Sequence, residues 1–310
     1  MSEAGPGATL ATVTGLLYKA TKQPGSAREA NMTVNPVYKQ GWTMDDIHWS
    51  LFAPSRVDPT LLAAVKAAAL VEYNAPDYVT YLKRVFADAP ASTLAAIERW
   101  GMEEAQHGRA LGRWAEIADP DFKLEDAFAR FRKGYTPAHF NPEQDRSVRG
   151  SRRGEMIARC VVESGTSSYY SAIRDASEEP VLKEIAGRIA ADEYRHYKLF
   201  YDILHTQSEP DLGLWRKFWI ALGRVRESDD DELAYSYYCA NVLPEEEAAS
   251  PYERRKYSRL AGQASMTIYH RHHVQKLVQM VVKAVGANPH GWLASLAGAV
   301  LWRRLSNKAA

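Results

Sequence analysis

Apolar positions recur along this chain every three or four residues in long runs, and no convincing strand-hairpin alternation interrupts them. From about Pro59 to Ala87, Leu61, Leu62, Val65, Ala68 and Ala69 lie close to one stripe, which predicts an amphipathic helix kinked at Pro76. A second helix is predicted from Pro90 to about Ile117, with Ser92 or Thr93 as its N-cap. A short helix near Leu124–Lys133 follows inside a stretch rich in Pro, Phe and Tyr. The third long helix spans about Ser151 to Ala176. The fourth opens at Glu178, Glu179 and Pro180, acids and a proline suited to a helix start, and runs to about Thr206. After Pro210 and Gly213 a further helix covers Leu214–Glu227. The acidic run Glu227 to Glu232 reads as a solvated loop. A last long helix covers about Tyr252 to Val285, and a short apolar helix closes the chain after Gly286 and Pro289. The expected fold class is therefore all-α, a four-helix bundle with additional flanking helices.

Within those apolar stripes stand polar residues that do not belong to a core. Glu72 falls on the inward stripe of the first helix and Glu163 on that of the third. The second and fourth helices each carry Glu-x-x-His, as Glu104 with His107 and Glu193 with His196. Residues three apart share one helix face, so each pair can grip one ion. The pattern repeats: 32 residues separate Glu72 from Glu104, and 30 separate Glu163 from Glu193. This order of ligands is the one by which a four-helix bundle holds two iron or manganese ions in its core. Four buried carboxylates without a counter-charge would be very costly, and two divalent ions nearly balance them. Mixed carboxylate and imidazole ligands suit redox-active iron better than structural zinc. A ligating histidine usually donates its other N–H to a carboxylate. Asp192 is assigned that role for His107, and Glu103 for His196.

Composition narrows the setting. The formal net charge of +1 gives no argument for nucleic acid, and no Gly-rich phosphate loop follows a strand. Two cysteines, Cys160 and Cys239, carry no motif spacing, so a reducing, cytoplasmic compartment is expected. No apolar run reaches the length of a membrane span; the best, Trp292 to Trp302, ends in Arg303 and Arg304 and suits an end helix or an interfacial segment. Residues 1–31 read as a loose N-terminal arm, 32–286 as the metal-binding domain and 287–310 as a C-terminal helix and tail. The cluster of His270, His272 and His273 offers a conceivable second metal site, with a basic surface face as the plainer reading. Two groups, Arg146, Arg149, Arg152 and Arg153, and Arg254, Arg255, Lys256 and Arg259, are candidate docking patches for an acidic partner.

The motifs resemble those of the soluble acyl-acyl-carrier-protein desaturases, a branch of the ferritin-like di-iron proteins. That family carries Glu-Glu-Asn-Arg-His-Gly where this chain has Glu103-Glu104-Ala105-Gln106-His107-Gly108. It carries Ala-Asp-Glu-Lys-Arg-His where this chain has Ala191-Asp192-Glu193-Tyr194-Arg195-His196. A Trp four residues before the first motif's ligand recurs as Trp100, a Pro four residues after the first ligand as Pro76, and a Thr three residues after Glu163 as Thr166. The resemblance covers about residues 40–285 and implies a ferritin-like four-helix bundle and two bound iron ions. It implies Glu72 and Glu163 as terminal ligands, Glu104 and Glu193 as bridging ones, and His107 and His196 on one ion each. Thr166 would assist proton delivery, and Asp192 would lie on an electron route from a surface aromatic, Trp42 or Trp49. The implied reaction is oxygen-dependent desaturation of a fatty acyl chain held as a thioester of acyl carrier protein or CoA. It draws electrons from a ferredoxin-like donor, in a cytoplasmic homodimer. Met102, Tyr169 and Tyr170 are candidate walls of the acyl channel. Gln106, Tyr194 and Ala105 depart from the family pattern. They leave open a hydroxylase or N-oxygenase, and iron storage or a metal-free bundle complete the alternatives.

Overall fold

The computed structural model describes residues 41–136, 146–227, 231–247 and 249–309; the expected arm over residues 1–31 lies outside them. The architecture is all-α, with no strand among the described residues. Four helices make the central bundle: α1 (Pro59–Tyr73), α3 (Ala91–Ala118), α5 (Arg152–Ala176) and α6 (Pro180–Thr206). Around them lie α2 (Ala75–Val85), α4 (Leu124–Gly134), α7 (Leu214–Glu227), α8 (Asp231–Asn241), α9 (Arg254–Met266), α10 (Arg271–Ala284) and α11 (Trp292–Ala309).

Local chemistry sets the ends of the bundle helices. Asp58 caps α1 by accepting from the amides of Thr60 and Leu61, ahead of Pro59 at the first helical position. Ser151 caps α5 through the Gly154 amide, and Glu179 caps α6 through that of Leu182. The link from α5 to α6 is so short that the two must run antiparallel. Cross-helix bonds fix their register, with Cys160 Sγ on the Tyr197 carbonyl and Ser167 Oγ on that of Ala190. The same reversal holds between α3 and α6, where Trp100 packs on Phe200 and Trp114 donates to Glu179 at 2.7 Å. It holds again between α1 and α3, where Lys66 pairs with Asp119 and Gly108 lies against Tyr73. Tyr170 of α5 closes the ring onto Glu72 of α1. Neighbouring helices thus alternate in direction around one core that includes Val65, Leu70, Leu111, Trp114, Tyr170, Ile173, Ile185 and Ile189.

The structure corrects several expectations. The first predicted helix is two, because the chain breaks at Asn74. Pro76 offers no N–H to the Glu72 carbonyl four residues back, and the Asn74 amide bonds to Val71 and Glu72 instead. The second helix is capped by Pro90, so Ser92 and Thr93 lie inside its first turn without capping. The last long helix is also two, parted at Thr267–His270, where His273 Nδ1 accepts the His270 amide at 3.0 Å and caps α10. Glu232 is not solvated: it is buried in α8 and accepts from the Tyr78 hydroxyl at 2.8 Å. The first basic group is largely neutralised, Arg149 by Glu227, Arg152 by Asp88 and Arg153 by Asp211. At Gly286 the chain leaves α10 with φ +83°, and the Ala287 amide reaches back to Val282 at 3.0 Å, a reversal that favours glycine.

Candidate metal centre

Six side chains from the four bundle helices converge at mid-core. Two groups have all their ligand atoms within 4.8 Å of one another: Glu72, Glu104, His107 and Glu193, and Glu104, Glu163, Glu193 and His196. Glu104 and Glu193 belong to both. All six residues are buried, from 8% exposed at Glu72 to none at His107. The one-turn spacing of each Glu-x-x-His puts both its members on the inward face. Gly108 lets α1 come close enough to add Glu72, since a Cβ there would lie 2.6 Å from the Tyr73 amide nitrogen.

The imidazoles are oriented from behind. His107 Nε2 lies 3.0 Å from Asp192 Oδ2, and His196 Nε2 lies 2.8 Å from Glu103 Oε2. These are the two partners expected from the sequence. Protons on both Nε2 atoms leave both Nδ1 atoms facing the carboxylates. His107 Nδ1 is 3.3 Å from Glu104 and from Glu193, and His196 Nδ1 is 3.0 Å from Glu104. Inside the cluster, both oxygens of Glu163, Oε1 of Glu193 and Nδ1 of His196 are buried without a hydrogen-bond partner. Buried polar atoms are rarely left so, and here they converge on common points. This donor set fits metal ions held between Glu104 and Glu193.

Electrostatics describe the same strain. Burial pushes the carboxyls of Glu72 and Glu163 well above the usual carboxylate range, and neighbouring Glu104 and Glu193 push them further. Burial also works against charge on Glu104, but His196 and His107 overcome it and hold that carboxyl well below the range. Burial opposes protonation of His196, yet Glu104 and Glu103 raise it to about 9. His107 is raised likewise, against burial, by Asp192, Glu104 and Glu193. In the metal-free protein, protons on Glu72, Glu163 and the two histidines offset charge that divalent ions would otherwise balance.

Of the other predicted residues, Thr166 donates its hydroxyl to Glu193 and lies at the cluster's edge. Trp42 rather than Trp49 meets Asp192: its indole N–H donates to Oδ2 at 2.8 Å, and its ring stacks on His107 with centroids 6.0 Å apart. The Trp49 indole bonds instead to the Met44 carbonyl. Gln106 holds the Trp42 carbonyl at 2.8 Å. Tyr170 is part of the site, donating to Glu72 at 2.5 Å, a role that its helical spacing of seven from Glu163 would have disclosed. Tyr169 packs beside it at 5.5 Å. Met102 is 64% exposed and points away from the bundle, so it is no channel wall. His272 and His273 gather on Asp175 at 3.5 and 3.0 Å, while His270 contributes only its amide. Because His273 Nδ1 accepts that amide, its Nε2 carries the proton, donates to Asp175 and has no lone pair for a metal. No protein-family model matches the chain, and no curated protein matches it.

Proposed function

We propose that the chain is a ferritin-like di-iron oxidoreductase, an oxygen-dependent desaturase of a fatty acyl chain carried as a thioester. The observation that carries the reading is the pair of buried ligand groups sharing Glu104 and Glu193, each with one histidine backed by a carboxylate. The resemblance of the two helical motifs supplies the reaction class and substrate.

On this reading Glu72, Glu104 and His107 hold one ion with Glu193, and Glu163, His196 and the same shared pair hold the other. Bound iron supplies the redox activation of dioxygen needed to remove hydrogen from unactivated methylenes. The protein's own part is positional. Asp192 and Glu103 fix the imidazole tautomers. Tyr170 fixes the Glu72 carboxylate through its hydroxyl. Thr166 keeps an exchangeable proton beside Glu193. Trp42, Asp192 and His107 form a contact line from a half-buried indole to the cluster, the route we assign to incoming electrons. Burial of all six ligands keeps bulk water away from the reacting centre.

The test is a single turnover. Protein loaded with iron and reduced is mixed with oxygen and a panel of acyl-carrier-protein and CoA thioesters, and the acyl products are weighed. Loss of two hydrogens from one chain length is the expected result. Gain of one oxygen would make the chain a hydroxylase. Iron oxidation with every acyl chain unchanged would overturn the acyl reading.

A further inference from the structure

The charge of this chain is unevenly placed. Residues 254–310 carry ten Lys and Arg and no Asp or Glu, which leaves 29 basic against 38 acidic residues in the rest. That acid-free stretch folds as α9, α10 and α11. Its last helix is apolar on two opposite faces. Ala294 and Gly298 turn inward, the latter so close to Gln275 that a Cβ would collide. Trp292, Leu296 and Val300 turn outward and are 58%, 48% and 47% exposed. Arg303, eleven residues after Trp292, ends the same stripe, and Arg304 is exposed beside it. A helix that is apolar all round belongs inside a protein or against something else.

Helix α7 adds to the same kind of surface. Trp215, Trp219 and Val225 are exposed on it, among the exposed cations Arg216 and Arg226. The α7 residue Lys217 brings its ammonium to 3.7 Å from the Cβ position of Gly286, in the turn that leads from α10 to α11. Six of the chain's twelve exposed large hydrophobic side chains lie on these two helices, three of them tryptophans. Scattered apolar side chains on a surface are ordinary, but such a concentration marks a contact face.

We propose that α11, with α7 beside it, docks on an anionic phospholipid surface. The helix lies in the plane of the headgroups; no helix among the described residues is long and apolar enough to cross a membrane. Tryptophans suit the interface between headgroup and acyl chain, and Leu296 and Val300 enter the acyl boundary below it. Arg303 and Arg304 meet lipid phosphates at the end of the stripe. A second copy of the chain is disfavoured as the occupant, because two acid-free cationic faces would oppose each other. An acidic protein would pair the arginines but gives no reason for an outward apolar stripe about 16 Å long, at 1.5 Å per residue. The proposal does not rest on the metal chemistry.

The full chain is floated with vesicles of phosphatidylcholine alone and with vesicles containing about one-third phosphatidylglycerol. Binding to the second, with blue-shifted tryptophan emission and release at high salt, is expected. The pair R303S/R304S should weaken partition roughly thirtyfold, from about 1 kcal/mol per cation near the surface. The pair W292S/L296S should abolish the emission shift. Both variants replace exposed side chains, and unchanged melting temperatures separate lost binding from unfolding. Three outcomes overturn the proposal. They are no binding to either vesicle, binding indifferent to both variants, and a dimer in solution that W292S/L296S dissociates, which would assign the face to a second copy.

Discussion

At the scale of single residues, the six buried ligands make opposite demands with and without metal. Glu163 is buried with both oxygens unpartnered, and its carboxyl is held far above the usual range by burial and by Glu193. Glu163→Gln removes that ionisable group while keeping its shape. The metal-free variant should therefore melt no lower than the parent, while its affinity for metal falls. The fall should exceed the roughly 10–100-fold that losing the partner of a ligand costs, which is the loss expected for Asp192→Asn. Competition against a chromogenic chelator measures both, and a Glu163→Gln variant that binds metal like the parent would remove Glu163 from the site. The same protons give a pH dependence of definite sign. His196 rises from an ordinary 6.5 to about 9 in the folded chain. Its contribution to stability is complete below about pH 6.5 and is lost as pH climbs through 9. Glu72 and Glu163, also raised, lose stability in the same direction. The metal-free chain should thus melt progressively lower above pH 6.5, whereas the metal-loaded chain holds level. Metal affinity should rise over that window, and binding heats in buffers of different ionisation enthalpy should report released protons.

At the scale of elements, the geometry of the site depends on how closely α1 approaches α3. Gly108 permits it, standing directly after His107 and against the Tyr73 backbone. Gly108→Ala must push α1 outward and carry Glu72 with it. We expect a loss of about 1–3 kcal/mol in stability, the range of overpacked cores, together with weaker binding at the Glu72 ion. Unchanged binding in a folded Gly108→Ala chain would show that Glu72 is no ligand. Much of this was legible in the sequence. The bounds of α5 and α6, the four ligand helices and both carboxylate partners of the histidines follow from helical periodicity and spacing, which are local rules. What was illegible depends on contacts between distant residues. The break at Asn74 looks from sequence like a kink, since Pro76 permits either. Helix α8 hides inside an acidic run because burial of Glu232 depends on Tyr78, 154 residues away. The division between α9 and α10 rests on the His273 ring turning back to cap His270, and the choice of Trp42 over Trp49 on an irregular lead-in without periodicity.

At the scale of the whole molecule, the metal centre ties together four helices from two halves of the chain. Every bundle helix supplies at least one ligand, so ion binding acts on the cooperative core rather than on a loop. The ions bind the folded chain far better than the unfolded one, since only folding brings Glu72, Glu104, Glu163 and Glu193 within reach of one another. A free metal concentration a hundred times Kd then stabilises by about 2.7 kcal/mol per ion. Taking roughly 2–4 °C per kcal/mol for a large domain, chelation should lower the melting temperature by roughly 5–10 °C for one ion and more for two. The effect should appear as one shifted transition, because the ligands share a single core. A melting temperature indifferent to chelator and to added iron or manganese would mean that the cluster stands on protons alone. The outward face of α11 contributes no ligand and faces away from Gln275 toward solvent, so chelation should leave vesicle binding intact while it lowers stability. If metal removal abolished both together, the surface helices would have to be coupled to the bundle core through α10, which packs on α5.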